Sequence, residues 1–310
     1  MVLAPPRADR CCWATLLTKA SYLQGCLVLH ASLVLKHKSE YPLVVFATPE
    51  LDQNSRMVLE SRGITVRDIE YLEPVKELKT TLDGHDHRFA DTWTKLRVFE
   101  LTEYDRVVLL DSDMLVIQNM DELMTMPLEP GYIAAAHACT CNPRKLAHYP
   151  KDWVPDNCGH QLAQGVVPPE PGHFTKPTHH LLNSGLVVLT PSAESFSKIW
   201  HTLQFDPLVK TFLFPDQDLL AFVFKGKFKP LSYRYNALKT LKQVHSDMWR
   251  DEDVKNIHYI LDKPWFKRPS SDNSEHADLN QMWWDAYDEL RDSWGSSTPG
   301  WEIVDAHVAH

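Results

Sequence analysis

The chain has 310 residues, 44% hydrophobic and 24% charged, the proportions of a soluble globular protein with one large domain or two small ones. Lys and Arg number 32 against 41 Asp and Glu, a net charge of −9, which argues against a general nucleic-acid binder because that needs a basic footprint. No apolar run approaches the ~20 residues that span a bilayer. Residues 1–10 lack a signal peptide's apolar core and six Cys do not make a disulfide scaffold, so a reduced, cytoplasmic enzyme is expected.

Residues 12–18 read as a first strand, and residues 20–38 carry Leu23, Leu27, His30 and Val34 at the spacing of a helix with one buried stripe. Residues 41–47 are a short β-rich run, residues 51–62 a helix stopped by Gly63, and residues 64–69 a third strand. This β-α-β-α-β order predicts a parallel sheet with helices on its faces. Residues 72–89, aperiodic and rich in charge and His, read as a loop. Asp91 then looks like the N-cap of a helix over 92–103, with Trp93, Leu96, Val98 and Phe99 facing inward. Residues 106–110 form the next strand, and Asp111-Ser112-Asp113 stands at its carboxyl end, where open α/β sheets bind ligands.

Residues 142–177, rich in Pro, His and Gly, read as an insertion over a site. Residues 186–189 restore a strand, followed by helices over 191–203 and 216–224. Beyond Pro264 the chain turns polar and then adds an amphipathic piece, 279–294, with Met282, Trp283, Tyr287 and Leu290 in near-helical register. The simplest division is one α/β domain, 1–268, with a C-terminal helical extension, 269–310, packed on it.

Four stretches carry chemistry. Asp111 and Asp113 flank one small residue at a strand end and can both reach a hard divalent cation, although Asp-x-Asp also arises in solvated turns. His258 can complete such a site, favouring Mn²⁺ over Ca²⁺, and Lys263 can hold a phosphate as a point charge. Asn183-Ser184-Gly185 reads as a polar turn opening into a strand, able to bond sugar hydroxyls, with Gly185 permitting close approach. Asp216 is either a helix N-cap or, with Gln217, a group facing a sugar. Cys139, Cys141 and Cys158 admit a zinc reading with His137, His148 or His160 as fourth ligand. Cys-x-Cys with an irregular third spacing matches structural sites poorly, however, and no zinc is expected.

Together these stretches resemble the family 8 glycosyltransferases, the glycogenin and galactinol synthase group, over residues 13–287. The pattern leans toward the galactinol synthase branch through residues 41–45, the Cys139-x-Cys141 pair with Cys158, Tyr235-Asn236-Ala237-Leu238 and Trp283-Trp284-Asp285-x-Tyr287. The resemblance implies a single GT-A domain, a Rossmann-like α/β unit with a mostly parallel central sheet that binds a UDP-sugar with Mn²⁺. It implies Asp111, Asp113 and His258 on the metal and Lys263 on the diphosphate. Leu16, Thr18 and Tyr22 would hold uridine, and Arg88, Lys95, Ser112, Ser184 and Gly185 would touch the donor. Asn183, Asp216 and Gln217 would surround the transferred hexose. The implied reaction is retaining transfer of galactose or glucose to a hydroxyl acceptor such as an inositol-like polyol. The alternatives are a self-glucosylating, glycogenin-like primer and a non-catalytic nucleotide-sugar binder, and a homodimer is compatible with any of these. Two departures stand out: Lys19 replaces a small polar residue, and Leu261-Asp262 replaces a Gly-containing turn before Lys263.

Overall fold

The computed structural model describes residues 6–79, 92–147, 149–160, 178–269, 275–295 and 299–309. Its strands are, in chain order, β1 (Cys11–Leu17), β2 (Leu43–Ala47), β3 (Thr65–Asp68), β4 (Arg106–Leu110), β5 (Met114–Val116), β6 (Ile133–His137), β7 (Leu182–Leu189), β8 (Phe228–Leu231), β9 (Ala237–Leu238) and β10 (Asn256–His258). Seven of them form the central sheet in the order β3-β2-β1-β4-β7-β6-β8, and a small second sheet has the order β5-β10-β9. All neighbours in the large sheet run parallel except β7, which is antiparallel to both β4 and β6. The central strands are near-continuous apolar runs because helices cover both faces and leave neither side to water. The expected mostly parallel α/β sheet is therefore present.

Chain order and spatial order together place the site. From β1 the chain moves outward through β2 and β3, then returns to β4 on the other side of β1. The reversal opens a crevice beyond the carboxyl ends of β1 and β4, the position where sheets of this kind take ligands. Residues 111–113 leave β4 directly into it.

The local elements depart from the sequence reading in four places. The helix expected over 20–38 is a tight turn at Ala20–Tyr22, an α-helix at Leu23–His30 and a widened π-type turn at Ala31–Lys36. The widening falls where Ser32 Oγ donates to the Leu29 carbonyl and accepts the Val116 amide, tying the helix to β5. Thr92–Glu100 coils as tight 3-10 turns that end three residues earlier than expected, yet Trp93, Leu96, Val98 and Phe99 are buried as read. Its expected cap, Asp91, lies outside the described residues. Residues 182–185 are not a turn but the start of β7, because Leu182 pairs with His137 of β6. In the C-terminal helix Ala277–Ser293, Trp283, Tyr287 and Leu290 are buried but Met282 faces outward.

That C-terminal helix matters to the site. Leu279, Trp283, Trp284 and Tyr287 share one apolar cluster with Leu23, Leu27 and Trp265. Tyr259 Oη donates to the Leu279 carbonyl (2.6 Å), and Trp284 Nε1 donates to the Pro264 carbonyl (3.0 Å). The stretch 259–264, which carries Lys263, is thereby held on either side of that residue. Among the described residues no helix is long and apolar enough to cross a membrane.

Gly25 allows the buried helix Leu23–His30 to lie directly under the 111–113 turn. A Cβ there would stand 2.6 Å from the Ser112 carbonyl oxygen and 2.9 Å from the Trp265 ring. Gly25→Ala is expected to destabilise the protein by about 1–3 kcal/mol through overpacking, read as a lowered urea midpoint; an unchanged midpoint would mean that the helix has room to shift.

Candidate active site

The ladder between β4 and β7 runs one residue past β4, since the Asp111 amide donates to the Gly185 carbonyl (2.8 Å). Asp113 in turn accepts the Tyr259 amide on its own carbonyl (2.9 Å). β5 pairs antiparallel with β10, setting His258 opposite Met114. These backbone bonds bring three distant residues together: His258 Nε2 is 3.4 Å from Asp113 Oδ1 and 3.8 Å from Asp111 Oδ2. His258 and Asp113 are buried, and Asp111 is the wetter of the two carboxylates. The room for the imidazole comes from Gly185, where a Cβ would stand 2.3 Å from the His258 ring. The close approach that Gly185 permits in this structure is thus to His258.

A chain of amides fixes the orientation of that ring. The Gly185 backbone N–H donates to Asn183 Oδ1 (3.0 Å), so the oxygen of Asn183 is identified by an unambiguous donor. Asn236 Nδ2 donates to the same oxygen (2.8 Å), which leaves Asn236 Oδ1 facing His258 Nδ1 (2.8 Å). His258 then carries a proton on Nδ1, and Nε2 is the ring nitrogen turned toward Asp111 and Asp113. At the other end, Asn183 Nδ2 donates to Gln217 Oε1 (3.3 Å). One network joins the residues expected at the metal to those expected at the sugar.

Two buried ammonium groups balance the carboxylates. Lys95 Nζ lies 2.9 Å from Asp111 Oδ1 and 2.7 Å from Asp216 Oδ2, and also donates to the Ser184 carbonyl (3.3 Å). Burial opposes its charge, but Asp111 and Asp216 outweigh burial and raise its pKa. Lys263 pairs with Asp113 Oδ2 and donates to the Tyr259 carbonyl (3.1 Å). Burial would push the Asp113 carboxyl up, yet Lys263 and His258 hold it well below the usual range. The turn before Lys263 keeps a kink that glycine adopts freely: Leu261 has φ 63°.

Asp216 is not the cap of its helix. The helix Pro215–Val223 starts with Phe214 as N-cap and Pro at its first position, and Asp218 Oδ2 accepts the amides of Leu213 (2.8 Å) and Phe214 (3.0 Å). With that work done by Asp218, the Asp216 carboxylate is turned to Lys95. Leu16 and Thr18 lie at the end of β1, half-buried. Tyr22 sits edge-on to Trp265, its ring centre 6.0 Å from Lys263 Nζ. Ser112 and Ser184 are buried beside the carboxylates. Arg88 lies outside the described residues. Two site residues had no role assigned in the sequence reading. Asn236 orients His258, and Lys239, buried, donates to the Asp262 carbonyl beside Lys263.

Residues 14–268 match the family model "Glycosyl transferase family 8", and the chain belongs to that family. Over 286 residues it is 29% identical to galactinol synthase 1 of Solanum lycopersicum, covering 90% of this chain and 82% of the relative. Over 273 residues it is 30% identical to galactinol synthase 7 of Arabidopsis thaliana, covering 86% and 78%. Among solved structures, the bifunctional glycosyltransferase WbbM superposes with a TM-score of 0.62 at 18% identity, covering 97% of this chain and 52% of WbbM. The galactosyltransferase LgtC superposes with a TM-score of 0.57 at 18% identity, covering 90% and 99%. The fold is GT-A, and the protein is a retaining hexosyltransferase.

Burial raises the Asp218 carboxyl from 3.8 to about 6. The folded state therefore holds that proton more tightly than the unfolded chain does. Its contribution to stability is complete below the unfolded pKa and is lost as pH rises through the folded one. Asp218→Asn, which keeps an acceptor oxygen but no charge, should gain stability relative to wild type between about pH 4 and pH 6; parallel urea melts giving a constant difference would place the titration elsewhere.

Proposed function

We propose that this hexosyltransferase moves galactose or glucose from a UDP-sugar to a hydroxyl of an inositol-like polyol, with Mn²⁺ as its cation. The observation that carries the reading is the meeting of Asp111, Asp113 and His258, whose ligand atoms lie within 4.8 Å of one another. Two carboxylates and one correctly oriented imidazole fit a cation that accepts mixed oxygen and nitrogen ligands. Such a cation, when bound, would offset the negative charge of the donor diphosphate.

The protein's own groups do the rest. Lys263 lies within reach of the same diphosphate and supports its departure as a fixed positive charge. Leu16, Thr18 and Tyr22 line the end of β1 where the uridine would rest, and Ser112, Ser184 and Gly185 shape the crevice behind it. Asn183 and Gln217, tied to each other, present the remaining amide donors to the hexose. The bond from the anomeric carbon to the phosphate oxygen breaks as the acceptor oxygen bonds that carbon on the same face. The acceptor proton passes to the leaving phosphate, so configuration is retained. Asp216 favours this course over a covalent intermediate, because its ion pair with Lys95 draws on the carboxylate's charge and makes it a poor nucleophile.

The galactinol synthase relatives support the polyol acceptor. A self-glucosylating tyrosine is less favoured, since the hydroxyls of Tyr233 and Tyr235 are engaged with the Met248 carbonyl and Glu122. Six free thiols support a reducing, cytoplasmic setting. Thermal shift across nucleotide sugars with Mn²⁺, followed by transfer assays on polyols, tests the donor and acceptor together; stabilisation by a non-uridine sugar nucleotide alone would reject the donor.

Asn236→Ala frees the His258 ring and is expected to weaken Mn²⁺-dependent UDP binding about 10–100-fold, with Asp111→Asn weaker still. Calorimetry with unchanged affinity in both variants would remove these residues from the metal. Asp216→Asn leaves Lys95 its pair with Asp111 and is expected to melt below wild type yet stay folded, while losing roughly 10²-fold in turnover; wild-type transfer by the folded variant would take Asp216 out of the catalytic machinery.

A further inference from the structure

Away from the crevice, four side chains that the transfer chemistry does not use converge on one point. Cys139, Cys141 and Cys158 lie on the segment that follows β6, and His245 ends the short helix Leu241–Val244. His245 Nε2 is 3.2 Å from the Cys141 Sγ, 3.5 Å from that of Cys158 and 3.8 Å from that of Cys139. The four ligand atoms lie within 4.8 Å of one another, and Cys141, Cys158 and His245 are buried. All three sulfurs are free thiols.

Hydrogen bonding does not account for this cluster. One imidazole nitrogen donates a single proton or accepts one, so it serves one of three sulfurs and leaves two crowded against it. A central cation serves all four. Zinc with Zn–S near 2.3 Å and Zn–N near 2.0 Å sets sulfur and nitrogen about 3.5 Å apart at the corners of a tetrahedron, and the three observed separations bracket that value.

We propose that Cys139, Cys141, Cys158 and His245 form a Cys₃His zinc site. Thiolates select zinc over Mn²⁺ or Mg²⁺, so the site is chemically distinct from the one at Asp111. Four protein ligands leave no open position, which makes the zinc structural. Sequence spacing pointed to His137, His148 or His160 as the fourth ligand. His148 lies outside the described residues, and the His160 ring centre is 5.6 Å from that of His245, beside the cluster.

The placement gives the zinc a task. The cysteine-bearing segment reaches the active site on two sides: Arg144 pairs with Asp262 (2.9 Å), next to Lys263, and Trp153 stacks on Phe214 (4.8 Å between centres, 11° between planes), two residues before Asp216. Fixing the segment to His245 holds both contacts in one arrangement. The zinc thus positions the wall that faces the acceptor.

The test uses the full chain purified without added metal and does not depend on the transfer reaction. Elemental analysis is expected to find about one zinc per chain, retained in Asp111→Asn and in a Cys26→Ser control, and reduced at least tenfold in Cys141→Ser/Cys158→Ser. If that double variant fails to fold, the wild type still decides. Mercurial titration should release zinc as three thiols react, and cobalt exchange should give the visible bands of a tetrahedral, thiolate-rich site. Protein that purifies without zinc and takes up neither zinc nor cobalt after reduction would overturn the proposal. So would zinc that survives loss of the thiols, or a disulfide between two of these cysteines.

Discussion

The active site depends on one buried ammonium. Lys95 stands between Asp111, which leaves the end of β4, and Asp216, which sits on a helix far along the chain, and it touches both within 3 Å. Taking such charges out of water is expensive, and only their mutual pairing makes the burial tolerable. Three carboxylates, Asp111, Asp113 and Asp216, face two ammonium groups, Lys95 and Lys263. Apart from His258 the crevice holds one carboxylate more than it has ammonium groups, an imbalance that a bound cation would correct. Removing Lys95 would leave the buried Asp216 carboxylate without its partner at a cost of about 3–5 kcal/mol. The same interaction that organises the chemistry also joins the first half of the sheet to the second.

Positioning by rigid elements is the second theme. Asp111, Asn183, Gly185 and His258 sit on or directly beside strands, and Asp216 and Gln217 on the first turn of a helix. Their mutual orientation is relayed through side-chain amides that begin at one backbone N–H, that of Gly185. Sites built on strands and helices hold their geometry better than sites on loops. The cysteine-bearing segment, by contrast, is mostly turns and carries no strand among its described residues between 138 and 160. The residues around Asp111 and His258 rest on scaffold, whereas the cysteine-bearing segment rests on turns.

Much of this was legible in the chain. The apolar runs of β1, β2 and β4 announced a parallel sheet because strands covered on both faces have no polar alternation to hide. Asp111, Asp113, His258 and Lys263 stood out by chemistry and by the punctuation around them. β7 was read four residues short, since Asn183-Ser184-Gly185 faces the site and interrupts the hydrophobic pattern that marks a strand. Asn236 was noticed within a run but not for its role, which exists only because β9 and β10 lie side by side. His245 was invisible for a similar reason: it is 87 residues from Cys158, and only the tertiary fold measures that distance differently. Asp216 and Asp218 look alike in sequence; burial and two backbone amides tell them apart.

The strap that carries Lys263 contains a bend most residues avoid. Leu261 holds a left-handed backbone, which costs an L-residue about 1–2 kcal/mol. That energy is supplied from outside the bend, by the Tyr259 hydroxyl anchored on Leu279 and by Trp284 gripping the Pro264 carbonyl. A strained segment held by remote contacts is the part of a fold that lets go first. Lys263, two residues past the bend, keeps its place beside Asp113 only while those remote contacts hold the bend. The placement of Lys263 beside Asp113 thus rests on a helix that begins at Ala277.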